Sequence, residues 1–132
     1  MRCGHEQTDL SRRMRCARCD GYCQATYDLD AARRVLAPAD FRDRRDGLWR
    51  FRELLPVRDE ANIVTLAEGG TPLLRSRRIG PALGLRDLYF KDLTRNPTYS
   101  FKDYSSSTSV SKAKEIGIED IVLMSAGNAS SS

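Results

Sequence analysis

Residues 100–128 read SFKDYSSSTSVSKAKEIGIEDIVLMSAGN, and the stretch changes character twice along its length. Its first part predicts a helix over 101–116, with Ser100 able to serve as N-cap and Gly117 as the C-terminal stop. The run Ser105-Ser106-Ser107-Thr108-Ser109 has poor helix propensity, so that helix must rely on packing. Ile121-Val122-Leu123-Met124 is apolar at every position, as a strand covered on both faces of a parallel sheet would be. Ser125-Ala126-Gly127-Asn128 then turns out of that strand.

Upstream, residues 85–90 predict another strand, and Asn96-Pro97 breaks the chain before the helix. Strand, helix and strand in this order predict one right-handed crossover unit, which needs neighbours on its sheet. A helix should follow the last strand, yet only Ala129 to Ser132 remain. The expectation is therefore an architecture that continues beyond these residues. Further upstream, Ile63-Val64-Thr65-Leu66 predicts a short strand, and Glu68-Gly69-Gly70-Thr71-Pro72-Leu73 a turn leading into an apolar pair. Residues 30–56 predict a helical stretch broken near Pro38 and ended by Pro56. Leu48, Phe51, Leu54 and Leu55, with Trp49, supply its apolar face. Residues 1–29 form a separate block of Cys, Arg and small polar residues, so two units are expected, 1–29 and 30–132.

The 132 residues suffice for one ordinary domain, and 40% hydrophobic with 30% charged residues is globular and not disordered composition. No apolar run reaches the length of a membrane span, and the first residues carry no secretory signal, so a cytoplasmic protein is expected. The net charge of +4 reflects arginines between Arg33 and Arg52. Asp40, Asp43, Asp46 and Glu53 are interleaved among them. That pattern predicts a solvated, salt-bridged face and not a nucleic-acid footprint.

Two places suit chemistry. Lys102 falls on the first turn of the predicted helix, where the positive end of the helix dipole disfavours an added proton. A neutral lysine amine is what attacks an aldehyde to form a Schiff base. The second is the exit of the 121–124 strand, where Ser125, Gly127 and Asn128 lie. In open parallel sheets ligands bind beyond the carboxyl ends of strands, and backbone amides there can hold a carboxylate or phosphate.

Taken together, these features resemble a known family. Lys91-Asp92-Leu93-Thr94-Arg95-Asn96-Pro97-Thr98-Tyr99-Ser100-Phe101-Lys102-Asp103 resembles the cofactor-lysine motif of the tryptophan synthase β-like pyridoxal-phosphate enzymes. Ser125-Ala126-Gly127-Asn128-Ala129 resembles their asparagine loop, and the Glu68 to Leu73 turn is similar to the one that precedes these motifs. Gly47-Leu48-Trp49-Arg50-Phe51-Arg52-Glu53-Leu54-Leu55-Pro56 resembles a segment of threonine synthases with a zinc-ribbon-like N-terminus. The resemblance implies an α/β chain: the opening part of a tryptophan synthase β-like fold, preceded by a small zinc-ribbon-like segment.

It also implies the cofactor pyridoxal 5'-phosphate, carried by Lys102, which would later move protons at substrate carbons. Asn128 would hydrogen-bond the phenolic oxygen of the cofactor ring. Ser125 and the amides around Gly127, Asn128 and Ala129 would hold the substrate α-carboxylate. The implied reaction converts O-phospho-L-homoserine and water to L-threonine and phosphate, with the cofactor as electron sink. The partner is then a small amino-acid phosphate, with no nucleic acid or membrane, and full-length relatives are expected to be homo-oligomers. A sister enzyme such as a threonine dehydratase, or a non-catalytic zinc-ribbon binding module, are the alternatives. Tyr99, Tyr104-Ser105 and Ser130 depart from the family pattern, which usually has Gly, Arg-Gly and Gly there. The family's Gly-rich phosphate loop and its partner for the pyridine nitrogen belong to a later part of the fold, so isolated activity is not expected.

All four cysteines, Cys3, Cys16, Cys19 and Cys23, lie near the start. Such clustering favours a metal or redox role over a disulfide framework. Cys16 and Cys19, followed by Asp20-Gly21, have the knuckle spacing of a zinc ribbon, and Cys3-Gly4 resembles the end of another knuckle. Cys3, Cys16 and Cys19 are the candidate zinc ligands, with His5 or Cys23 as fourth. Free thiols in a degenerate ribbon are the alternative.

Overall fold

The computed structural model describes residues 3–7, 15–36 and 41–132. The break near Pro38, and Asp40 of the charge pattern, lie outside the described residues. Four helices and two strands are labelled here: α1 (Leu29–Val35), β1 (Leu73–Arg75), α2 (Ile79–Ala82), β2 (Tyr89–Lys91), α3 (Lys102–Glu115) and α4 (Asn128–Ser131). The chain is a mixed helix and strand structure, as expected, but its topology differs from the crossover unit. β1 and β2 pair antiparallel, Leu73 opposite Lys91, Leu74 opposite Phe90 and Arg75 opposite Tyr89. The apolar pair after the Glu68 turn is thus a strand, and only the end of the predicted 85–90 strand is one.

Residues 121–124 form no ladder among the described residues, which corrects the buried parallel strand. Their side chains are exposed, Val122 and Met124 to 90% and 95%. An apolar run becomes a strand only where another backbone takes up its N–H and C=O groups. No described segment does so here.

The predicted 63–66 strand is also absent, and here its backbone has a different partner. Val64 N–H donates to Ser111 Oγ at 2.8 Å, and Val64 C=O accepts from Ser107 Oγ at 2.9 Å and Ser111 Oγ at 3.1 Å. Ser107 also accepts from the Trp49 indole N–H at 3.0 Å. Asp103, Ser107 and Ser111 recur every fourth residue and make one buried stripe of α3. The helix of poor propensity is therefore docked through hydroxyls, which satisfy an unpaired extended segment.

Pro56 and its neighbours end the Leu48 segment as predicted, but residues 30–56 are not one broken α-helix. α1 covers seven residues, and Leu48–Leu54 winds as a 3-10 helix interrupted at Phe51. Leu55, before Pro56, is extended at φ −111° and ψ 152°, which relieves the clash with the proline ring. The expected salt-bridged character is present. Arg44 grips both oxygens of Glu53 at 2.8 Å and holds its carboxyl below the usual carboxylate range. Arg50 pairs with Asp46 at 2.6 Å. No helix among the described residues is long and apolar enough to cross a membrane.

α3 stops as predicted: Gly117 takes φ +69°, and Ile118 N–H reaches back to Ala113 C=O at 2.9 Å. At its start the cap is shifted by one residue. Phe101 holds the cap position without a side-chain bond, while Ser100 Oγ accepts from the Lys102 amide at 3.1 Å.

Candidate functional site

The loop before α3 is built on two buried side chains. Asn96 accepts from Gly69 N–H at 3.1 Å and donates to Ser100 C=O at 3.0 Å, tying the Glu68 turn to the helix entrance. Asp103, fully buried, accepts from the Thr98 amide at 2.9 Å and from the Thr98 hydroxyl. Between them Tyr99 is forced to φ +59°. Tyr99 stands where the resembled motif usually has glycine, and a side chain in this region costs about 1–2 kcal/mol. Tyr104 and Ser105, the next departures, lie within regular α3 and raise no such conflict.

The Glu68 turn is fixed from its other side by a backbone crossing. Gly69, at φ +94°, approaches Gly47 so closely that a Cβ would lie 2.8 Å from Gly47 Cα. Leu48 N–H donates to Glu68 C=O at 2.9 Å. Glu68 is buried, its Oε2 accepting from Leu66 N–H at 2.9 Å and Thr65 Oγ1 at 2.8 Å. Its Oε1 and the Thr71 hydroxyl have no partner among the described residues.

Lys102 is the first residue of α3 and half-buried. Its Nζ lies 4.6 Å from the centroid of the Phe101 ring. The other lysine of the motif, Lys91, is engaged with the Thr71 carbonyl. A cleft of about 490 Å³ opens beside the helix entrance, lined among others by Leu74, Phe90, Tyr99, Ser100, Phe101 and Asn128. Lys102 does not line it, but the three residues that precede Lys102 do. The lysine motif and Asn128 thus meet at one place. A second cleft, of about 610 Å³ beside Arg75, Leu85, Arg86 and Asp87, holds none of the candidate residues.

The remaining loop residues are locally bonded. Ser125 Oγ accepts from Gly127 N–H at 3.2 Å, and Gly127 C=O accepts from Ser130 N–H at 2.9 Å and Ser130 Oγ at 2.7 Å. Asn128 and Ala129 open α4, a single turn joined to α3 by a 2.7 Å contact between the Ser106 and Ser132 hydroxyls. The loop sits at an exposed chain segment and not beyond a covered strand.

In the cysteine block, Arg15 and Tyr22 form an isolated bridge, and Cys16 N–H donates to Gly21 C=O at 2.7 Å. The tight turn between them brings Cys16 and Cys19 together, and Cys3 joins them. The three Sγ atoms lie within 4.8 Å of one another, Cys3 and Cys16 at 3.6 Å. The amides of Arg18 and Cys19 point at Cys16 and hold its thiol below the ordinary value. Among the described residues neither His5 nor Cys23 belongs to this group of three.

Glu68, Thr71, Asn96 and Asp103 carry the geometry of the loop, and residue-by-residue reading assigns them no role. For Glu68, Thr71 and Asn96 the signal was present as polar residues beside Gly or Pro, whereas Asp103 has neither neighbour. Only burial shows them to be internal.

Residues 64–132 match the family model described as pyridoxal-phosphate dependent enzyme. The chain is similar to a threonine synthase of Methanocaldococcus jannaschii, 38% identical over 132 residues, covering 100% of this chain and 32% of the relative. A threonine synthase of Methanosarcina acetivorans is 34% identical over 128 residues, 97% of this chain and 31% of the relative. One from Halalkalibacterium halodurans is 41% identical over 83 residues, 63% and 23%. The chain spans about a third of the length of the first two relatives. No solved structure matches it.

Proposed function

The chain belongs to the pyridoxal-phosphate dependent enzyme family, and on that premise we propose that it contributes the cofactor-lysine segment and asparagine loop of a threonine synthase-type lyase. The substrate would be O-phospho-L-homoserine, converted with water to L-threonine and phosphate. The observation that carries this reading is the shared cleft of Tyr99, Ser100, Phe101 and Asn128. It sets the loop residue beside the entrance of the helix that begins at Lys102.

Pyridoxal phosphate, when bound, supplies an electron sink for carbanions at the substrate carbons. Lys102 fits as its covalent holder because it stands at a helix entrance, directly after three residues that line the cleft. Released from that role, the same amine would take and return protons at the substrate carbons. Asn128 lines the cleft, and its side-chain amide would hydrogen-bond the ring's phenolic oxygen. Ser125 and the amides about Gly127, Asn128 and Ala129 would take the substrate carboxylate, Ser125 exchanging its present bond to Gly127. Asp103 and Asn96 position the lysine, acting through the loop and not on substrate. The same proposal takes Cys3, Cys16 and Cys19 as ligands of zinc, an ion that thiolates bind well.

The test is reaction of the purified chain with pyridoxal phosphate, borohydride reduction and peptide mapping. The adduct is expected on Lys102 and lost in Lys102→Ala. An adduct spread evenly over Lys91, Lys112 and Lys114 would sink the assignment.

A further inference from the structure

Tyr99 is held in a conformation that favours glycine, and its backbone is gripped from both sides. Its own N–H donates to Asn96 C=O at 2.8 Å, the Thr98 amide before it is bonded to Asp103, and the Asn96 amide donates to Ser100 C=O after it. The φ of +59° is therefore imposed by the loop, and with it the direction in which the side chain leaves the backbone. Glycine would meet that φ without strain. The tyrosine ring does not offset the strain by packing, because Tyr99 is 80% exposed. A strained residue that its surroundings over-determine, at the wall of a cleft, points to a ligand.

The chemistry of the cleft indicates which ligand. Leu74 and Phe90 stand directly opposite each other in the β1–β2 ladder, so their side chains share one face, and both line the cleft together with Tyr99 and Phe101. Ser100 and Asn128 add polar groups. The volume of about 490 Å³ is that of a small-molecule site. The Lys102 amine lies 4.6 Å from the centroid of Phe101, one of these wall residues. An aromatic wall beside an amine suits a flat ring that carries an aldehyde.

We propose that Tyr99 is a specificity-determining residue of this cleft: its ring lies against the ring of an aromatic aldehyde that reaches Lys102, so the site prefers pyridoxal phosphate to aldehydes without a ring. This deepens the cofactor reading above and rests on it. The contact is made by the face of the ring, so the phenolic hydroxyl is dispensable. At a position where the resembled motif usually has glycine, this chain exchanges backbone ease for an aromatic surface.

The full chain and its Tyr99→Phe, Tyr99→Leu and Tyr99→Gly variants are titrated with pyridoxal phosphate and, separately, with glyceraldehyde 3-phosphate, a phosphorylated aldehyde that has no ring. Borohydride reduction and peptide mapping then give the concentration that half-labels Lys102. For pyridoxal phosphate it should rise roughly three- to tenfold in Tyr99→Leu and Tyr99→Gly, and stay within about twofold in Tyr99→Phe. For glyceraldehyde 3-phosphate all four proteins should agree within about twofold, whereas simple damage to the loop would weaken both aldehydes alike. Parallel losses for the two aldehydes, one value for pyridoxal phosphate in all four proteins, a Tyr99→Phe as weak as Tyr99→Leu, or tighter binding in Tyr99→Gly would overturn the proposal and leave Lys102 as the cofactor residue. No adduct on Lys102 in the unaltered chain would remove the cofactor reading and this one with it.

Discussion

Asp103, Ser107 and Ser111 of α3 are buried, whereas Ile121, Val122, Leu123 and Met124 are exposed. The two regions invert the usual sorting of polar and apolar side chains. Buried apolar residues are few among the described residues: Cys16, Val57 and Ala113. Glu68, Asn96, Asp103 and Ser111 are the largest side chains that are fully covered. The difference teaches that burial follows available partners and not polarity alone. The polar stripe finds backbone groups and hydroxyls that need it, while the apolar run finds no covering surface among the described residues.

The hardest test of that contrast is Asp103→Ala. Removing the buried carboxylate leaves the half-buried Thr98 amide and hydroxyl unanswered, so urea denaturation should show a loss of about 3 kcal/mol. A loss under 1 kcal/mol would mean that the polar stripe is incidental. Ser111→Ala comes next. It strips Val64 N–H of its acceptor, and a loss of about 1–2 kcal/mol is expected despite the better helix propensity of alanine. Combining it with Ser107→Ala should exceed the sum of the single effects, because both hydroxyls serve the same carbonyl. Tyr99→Gly should act in the opposite sense. Relief of the positive φ should raise the unfolding free energy by about 1 kcal/mol, and an unchanged midpoint would argue against strain there. Val122→Thr, on the apolar side of the comparison, should alter stability by less than about 0.5 kcal/mol. A large loss there would show that the segment is packed.

How much of this was legible follows the same contrast. The helix after Lys102 could be read because Gly117 punctuates it and Pro97 precedes it, both local devices. Leu55 before Pro56 was legible for the same reason. The meeting of the lysine motif with Asn128 was suggested by resemblance, and the cleft at Phe101 gives it a physical site. What could not be read was which backbone would face which side chain. Val64 looks like a strand residue, but its partner is a serine stripe forty-odd residues away, and no periodicity announces that pairing. The 121–124 run was misjudged because apolarity states a need for cover and says nothing about its source. The cysteine group was legible from spacing for Cys16 and Cys19. That Cys3 joins them depends on the shape of the turn.

Trp49 is the only indole in the chain, and its N–H is bonded to Ser107 in the middle of α3. Its emission therefore carries an intrinsic optical record of whether that helix is seated. Any event that lifts α3, and with it Lys102, breaks this bond and changes the fluorescence, so motion at the lysine is visible without a label.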